Sequence, residues 1–347
     1  MAKTKYNPEM PSESFDIADY EALQDSKIVS VIAGTSGMRF DDAEDASVFF
    51  ARELDFIKAK SYDKLYPEFT ALRLFPVSSE VNPGAETVTY YGYEKTGFAK
   101  IIQNYATDLP RTDVKGKPTT ANIKSIGDSY GYSVQEMRAS RFAGKSLDVR
   151  KAESAKYAQD RETNRIAWVG DEESGLMGVL SPWNNVPLYT PAMNSGGTST
   201  QFKDKTPTEI LADFSGAIKS MSDMTMDVEI PDTIGISSSV YVYLSTTPMS
   251  TLNTQPILKW LLENLPDIKS IERCPELNAD SGINPFAGQN AMLLYRRDED
   301  KLTIENPLLF FQYPVQPNGL ELQIPCESRT AGAMIYYPLS MLIIPGI

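Results

Sequence analysis

The sequence contains no histidine. The side chain most often used as a general base, and most often bound to metal, is therefore missing, and Ser-His-Asp or Cys-His catalysis is excluded outright. Cysteine is almost as scarce, with only Cys274 and Cys326. Two cysteines cannot build a disulfide framework and suit small buried hydrophobes in a reducing compartment. No apolar run reaches the ~20 residues that a membrane-spanning helix needs. The most apolar stretch, MIYYPLSMLIIPGI from Met334, is shorter and interrupted by Pro338, and reads as a buried strand pair. The N-terminal MAKTKYNPEMPSESFD lacks an apolar signal core, so no secretory export is expected. Positive charge is in deficit: 33 Lys and Arg against 46 Asp and Glu give a net charge of -13. An acidic surface repels phosphates and argues against sequence-specific nucleic-acid recognition. It remains compatible with a container whose wall must only avoid trapping what it holds.

What is present is the composition of a folded chain, 41% hydrophobic and 23% charged over 347 residues. Residues 1–26 are polar and read as an extended arm. Acids crowd the start of 41–60 and apolar residues follow at helical spacing, which predicts a helix. Residues 65–77 read as extended. After the turn Asn82-Pro83-Gly84, a strand is expected over 87–94, rich in Thr, Val and Tyr, and a second over 123–137. Between them, 95–122 is long and polar for a connection inside a compact domain, which makes it a projecting hairpin. A helix over 147–169 carries a small-residue stripe, early acids and late arginines, and ends at Gly170. A Gly-, Pro- and Asn-rich loop region, 170–205, follows. Thr206 and Glu209 form a capping-box signature opening a helix over 207–224. Strands over 233–244, 268–272, 291–296 and 301–305, a helix over 255–265 and a final pair of strands complete an α+β pattern.

Several motifs have ordinary explanations. Gly144-Lys145-Ser146 opens a helix as a phosphate-binding loop does, but the glycine required five residues earlier is Ala139. Ser61 and Lys64 have Ser-x-x-Lys spacing without its companion signatures. Asn278, Asp280 and Asn284 lack the spacing and terminal glutamate of a calcium loop. Met221, Met224 and Met226 read as core filling, and Tyr90, Tyr91 and Tyr93 as sheet packing. No catalytic, metal or cofactor site is expected.

The order arm, long-tipped hairpin, long helix, α/β segment and return strands resembles the tailed-bacteriophage major capsid proteins of the Hong Kong 97 type, a fold that encapsulin shells share. The runs ARELDFIKAKSYDKLYPEFTALRLFPV from Ala51, VNPGAETVTY from Val81 and AWVGDEESGLMGVL from Ala167 carry the likeness, which spans Phe49 to the C-terminus. It implies an N-arm and N-terminal helix over 1–75, an E-loop hairpin with flanking P-domain strands over 76–137, and a spine helix with its following loop over 138–205. An A-domain over 206–300 and returning P-domain strands over 301–347 complete the scheme. It further implies a non-enzymatic virion protein made in the host bacterial cytoplasm. Such a chain self-assembles as pentamers and hexamers into an icosahedral head around double-stranded DNA bound without sequence specificity. Scaffolding, portal and decoration proteins are its expected partners, and no membrane is involved. An encapsulin-like compartment shell is the alternative, and an unrelated carboxylate enzyme the more distant one. Lys95, Lys100, Arg111, Lys115 and Lys117 make the hairpin basic within an acidic chain. Their expected counterpart is the long helix of an adjacent subunit, through Glu153, Asp160 and Glu162.

Overall fold

A computed structural model describes residues 68–102, 109–143, 149–250, 252–286 and 288–347. The expected arm, the helix over 41–60, the Ser61/Lys64 pair and the Gly144-Lys145-Ser146 turn lie outside the described residues. None of the described helices is long and apolar enough to cross a membrane.

The most apolar strands of the sequence explain the architecture. Met341–Pro345 (β15) pairs antiparallel with Ala291–Tyr295 (β9) at one side of a four-stranded sheet, with Thr233–Ser237 (β7) and Ser270–Cys274 (β8) beyond β9. Strand side chains alternate between faces. Leu293, Tyr295, Met341 and Ile343 enter one hydrophobic cluster, while Met292, Leu294, Leu342 and Ile344 enter a second. A sheet buried on both faces needs apolar residues at every position, and AMLLY and MLIIP supply them. The second cluster is closed by the helices Pro207–Thr225, Ser238–Thr246 and Ile257–Asn264 through Ile210, Phe214, Val240, Leu244, Ile257 and Leu261.

The first cluster is closed by a five-stranded sheet and the end of the long helix, Arg150–Val169. That sheet runs Val77–Ser78 (β1), Leu302–Glu305 (β10), Gly332–Ile335 (β14), Leu176–Met177 (β6) and Gly170–Asp171 (β5). At its centre Phe75 meets Trp168 edge-on at 5.1 Å and Tyr295 at 5.2 Å, and the Tyr295 hydroxyl donates to the Leu74 carbonyl at 2.9 Å. Gly170 ends the long helix at φ +78°, where a Cβ would meet the Leu176 carbonyl. The helix lies along a further sheet, in which Lys124–Ser133 (β4) and Glu321–Thr330 (β13) pair over ten positions. Leu308–Gln312 (β11) and Gln316–Asn318 (β12) pair with the other side of β13.

Several expectations need correction. The apolar C-terminal stretch gives two buried strands, β14 and β15, but they belong to different sheets and do not pair with each other. Segment 301–347 therefore serves both bodies of the fold. Residues 65–77 hold a helical turn, Ala71–Leu74, because a buried carboxylate and amide seize its start. Glu276 accepts from the Thr70 N–H at 3.1 Å and its hydroxyl at 2.6 Å, and Asn164 Oδ1 accepts from the Ala71 N–H at 3.0 Å. Residues 233–244 are not one strand. The chain leaves β7 at Ser237 into the helix Ser238–Thr246, since the parallel partner β8 is reachable only by a crossover. The pattern over 123–137 likewise divides into β4 and the helix Val134–Ala143. Met221 is buried, but Met224 and Met226 are exposed, so core filling holds for the first alone.

The capping box is formed as read: Glu209 accepts from the Thr206 N–H at 2.7 Å and its hydroxyl at 2.8 Å, and also from the Ser195 N–H at 2.7 Å. The Thr206 N–H and hydroxyl, with Ser195 behind them, hold the Glu209 carboxyl down to about 2. A carboxyl lowered on folding stabilises the protein above its unfolded pKa, and that contribution disappears as pH falls toward the folded value. Glu209→Gln is expected to flatten the decline in urea midpoint between about pH 4.5 and pH 2, leaving the curve above that window parallel to the parent's.

Candidate functional site

The feature that least serves its own subunit is a two-stranded ribbon. Thr87–Thr96 (β2) and Asp113–Asn122 (β3) pair without interruption from Thr87↔Asn122 to Thr96↔Asp113. The expected hairpin is thus present, but its second strand lies inside the stretch read as a loop. DVKGKPTTAN offers no apolar alternation, and Gly116 and Pro118 break strand patterns. A ribbon of two strands has only edges, where proline is tolerated. In water such a ribbon is marginal alone. Its anchors to the body are few: Tyr90 meets Tyr336 edge-on at 4.9 Å and donates to the Ile335 carbonyl at 3.2 Å, and Asn122 Nδ2 donates to the Ser174 carbonyl at 3.3 Å. Tyr90 therefore packs as expected, whereas Tyr91 and Tyr93 are exposed.

Beyond the paired strands the ribbon is apolar in the open. Phe98 is 71% and Ile101 100% exposed, Ile102 and Leu109 are exposed too, and so is Val114 within the paired part of β3. The cations here are evident in the charge pattern of the sequence, whereas these side chains are scattered among polar residues. Clustered exposed apolar residues mark a surface that is covered in use. A second such set, Leu309, Phe311, Tyr313, Val315 and Leu320, lies on β11 and the turns around β12. Near it a groove of about 610 Å³ is lined by Phe69, Leu72, Leu309 and Phe310, with Glu68, Lys156 and Asp160 among them.

The eight charged residues singled out in the sequence fall into separate groups. On the ribbon, register sorts the cations. Lys117 opposes Gly92 and Lys115 opposes Glu94, on the face of Tyr90 that looks at the body, while Lys95 opposes Val114 on the other face. Arg111 and Lys100 are exposed at the tip. On the long helix, Glu153 and Asp160 are about two turns apart and share a face, but Glu162 is about half a turn further round. Glu162 is held by Arg165, with Nε at 2.9 Å and an Nη at 2.6 Å, and this hydrogen bonding raises the Arg165 pKa. Asp160 lines the groove, and burial pushes its carboxyl up against the opposing pull of Lys156. The three acids thus do not form one surface. Within the subunit, Lys115 and Lys117 share a cleft of about 1400 Å³ with Glu80, Glu94, Asp298, Glu299, Asp300 and Glu305. The run Asp298-Glu299-Asp300 is visible in the sequence, but nothing local reveals what it faces.

The chemically reactive groups of the described residues can be placed. Among them no group of three His, Cys, Asp or Glu side chains converges as a metal site. Burial pushes both thiols up, Cys274 most strongly, away from the thiolate a nucleophile needs. Asn278, Asp280 and Asn284 form a loop in which Asn284 Nδ2 donates to the Leu277, Asn278 and Gln289 carbonyls at 3.2, 3.1 and 2.8 Å.

A family model described as "Major capsid protein" matches residues 97–347. Among solved structures, the capsid of Myoviridae Phage XM1 is similar at a TM-score of 0.71 and 14% identity, covering 87% of this chain and 100% of that one. A structure from Mycobacterium phage Bobi is similar at 0.56 and 14%, covering 85% of this chain and 96% of that one. The capsid of an empty GTA particle is similar at 0.55 and 10%, covering 85% and 95%. At these identities the likeness is one of fold. No curated protein matches the sequence.

Proposed function

Because the chain belongs to the major capsid protein family and has the α+β fold of the Hong Kong 97 type, we propose that it closes as pentamers and hexamers into the icosahedral head of a tailed phage, around double-stranded DNA. The observation that carries this reading is the ribbon: it has few anchors to its own body and an exposed apolar tip suited to burial against another copy. The long helix and its sheets form the rigid element, and the ribbon adapts to five- and sixfold neighbours. In the terms of the fold, 76–137 serves as the E-loop region with flanking P-domain strands, 138–205 as spine helix and loop, 206–300 as A-domain, 301–347 as returning strands of which β15 joins the A-domain sheet, and 1–75 as the arm and N-terminal helix. DNA is held by enclosure, in keeping with the net charge of -13. Scaffolding, portal and decoration proteins are its partners in assembly, and the subunit is made in the cytoplasm of a bacterial host. The family match favours a phage head over an encapsulin-like compartment.

Overexpression of the full chain followed by negative-stain electron microscopy tests this function. Closed shells with five- and sixfold capsomers are expected. A monodisperse small oligomer at high concentration contradicts it, and stoichiometric enzyme cargo inside the shells transfers the chain to the compartment class.

A further inference from the structure

The cleft between the ribbon and the body carries a feature that shell geometry alone does not require. Glu305, on β10, is 4% exposed, and its neighbour across the sheet, Ser78, donates to Oε1 at 2.9 Å. The other oxygen, Oε2, has no hydrogen-bond partner, although the residue lines the cleft. A buried carboxylate oxygen without a donor is costly, and a cation is the group that most directly satisfies it. Burial pushes the Glu305 carboxyl up, with Glu80 adding to it and the Ser78 bond opposing, a balance that an arriving cation reverses. The same wall of the cleft carries Glu80, Asp298, Glu299 and Asp300.

Fixed cations near this wall are already engaged. Lys301 pairs with Glu229 and lies over the Tyr337 ring at 4.3 Å, and Arg296 pairs with Glu229 at 3.6 Å and Asp298 at 3.9 Å. The opposite wall is the ribbon face of Tyr90. Lys117 stands on it two residues from Thr119, the partner of Tyr90, and Lys115 two further on. Gly92, opposite Lys117, places no side chain between that lysine and the body. Among the described residues neither lysine takes part in an ion pair.

We propose that the cleft is an ammonium-binding socket centred on the free oxygen of Glu305, and that its occupant is Lys117 of the same chain, drawn in as the ribbon tilts toward the body. Lys115 meets the Asp298–Asp300 wall in the same movement. The latch sets the angle at which the ribbon leaves the subunit, and so where the apolar tip reaches a neighbour. It rests on the shell reading for its consequence but not for its chemistry, since both partners belong to one molecule. It also divides the ribbon's cations into two sets. Lys115 and Lys117 hold the base, while Lys95, Lys100 and Arg111 remain for the outer face and tip.

Amine reactivity in the purified full chain tests the socket. With a succinimidyl ester at limiting dose, read by peptide mass spectrometry, Lys117 is expected to label several-fold more slowly than Lys95, which faces away. Glu305→Gln keeps the Ser78 contact and is expected to bring Lys117 up to the rate of Lys95. Equal rates in the parent, or a slow Lys117 that Glu305→Gln leaves unchanged, overturn the proposal. To fix the source of the ammonium, a zero-length carbodiimide is used to condense Lys117 with the carboxylates of the cleft in a mixture of isotopically heavy and light chains. Only heavy–heavy and light–light links are expected. Mixed links show that the occupant comes from a sister copy and overturn the assignment to the same chain. Particle formation is scored separately, so failure of the socket and failure of the shell reading give different results.

Discussion

Aspartate at both Phe98 and Ile101 is expected to abolish closed particles while leaving the subunit's thermal unfolding unchanged. The two side chains stand 71% and 100% exposed in the subunit, so changing them removes little intramolecular packing. In a shell they are the apolar end of an otherwise polar ribbon. Burying a large apolar side chain contributes roughly 1.5–3 kcal/mol, so two of them contribute about 3–6 kcal/mol per contact. Each 1.4 kcal/mol is tenfold in an association constant, which makes the loss at least a hundredfold per contact on the order of magnitude. A shell needs many such contacts at once. Alanine at the same positions is expected to raise the concentration at which particles appear rather than prevent them. Sedimentation velocity alongside scanning calorimetry reads both outcomes. Unimpaired particle yield from the aspartate variant shows that the tip is not an assembly surface.

The second large effect belongs to stability. Lys205 and Asp213 form an ion pair with side chains only 1% and 5% exposed. Asp213 also accepts from the Ala192 N–H at 3.1 Å, and the Lys205 ammonium lies 5.6 Å from the Phe202 ring centre. The pair ties the irregular 186–205 segment to the helix Pro207–Thr225. Asp213→Ala strands a buried cation, a change that typically destabilises by about 3–5 kcal/mol. Lys205→Met with Asp213→Leu removes both charges and fills similar volume, and is expected to recover most of that loss. Urea unfolding of the three proteins checks it. A double variant as unstable as Asp213→Ala shows that the Ala192 hydrogen bond, not the charge balance, matters most.

The parts of this fold that depend on local rules could be read from the sequence. Gly170 as a helix stop, the Thr206–Glu209 capping box and the wholly apolar strands AMLLY and MLIIP are all where pattern places them, because each is decided within a few residues. The parts that failed are decided by distant partners. Residues 71–74 turn because Glu276 and Asn164 hold the amides at their start, more than ninety positions away in sequence. The helix Ser238–Thr246 has strand-like composition and is helical because β8 must be reached in parallel. Strand 113–122 has loop composition and is held extended by β2. The candidate site was half legible for the same reason. The ribbon's charge stood out, whereas its apolar tip is scattered among polar residues. The acidic wall opposite Lys115 and Lys117 comes from Glu80 and from residues 298–305, which only the folded sheet brings together. Helical periodicity alone suffices to separate Glu162 from Glu153 and Asp160.

Assembly of the shell depends on where the ribbon tip is buried. Electron cryomicroscopy of particles formed by the full chain locates it directly. Side-chain density for Phe98 and Ile101 packed against another copy is the result expected. A closed particle in which both side chains rest on their own subunit, or remain in solvent with no neighbour in contact, contradicts it.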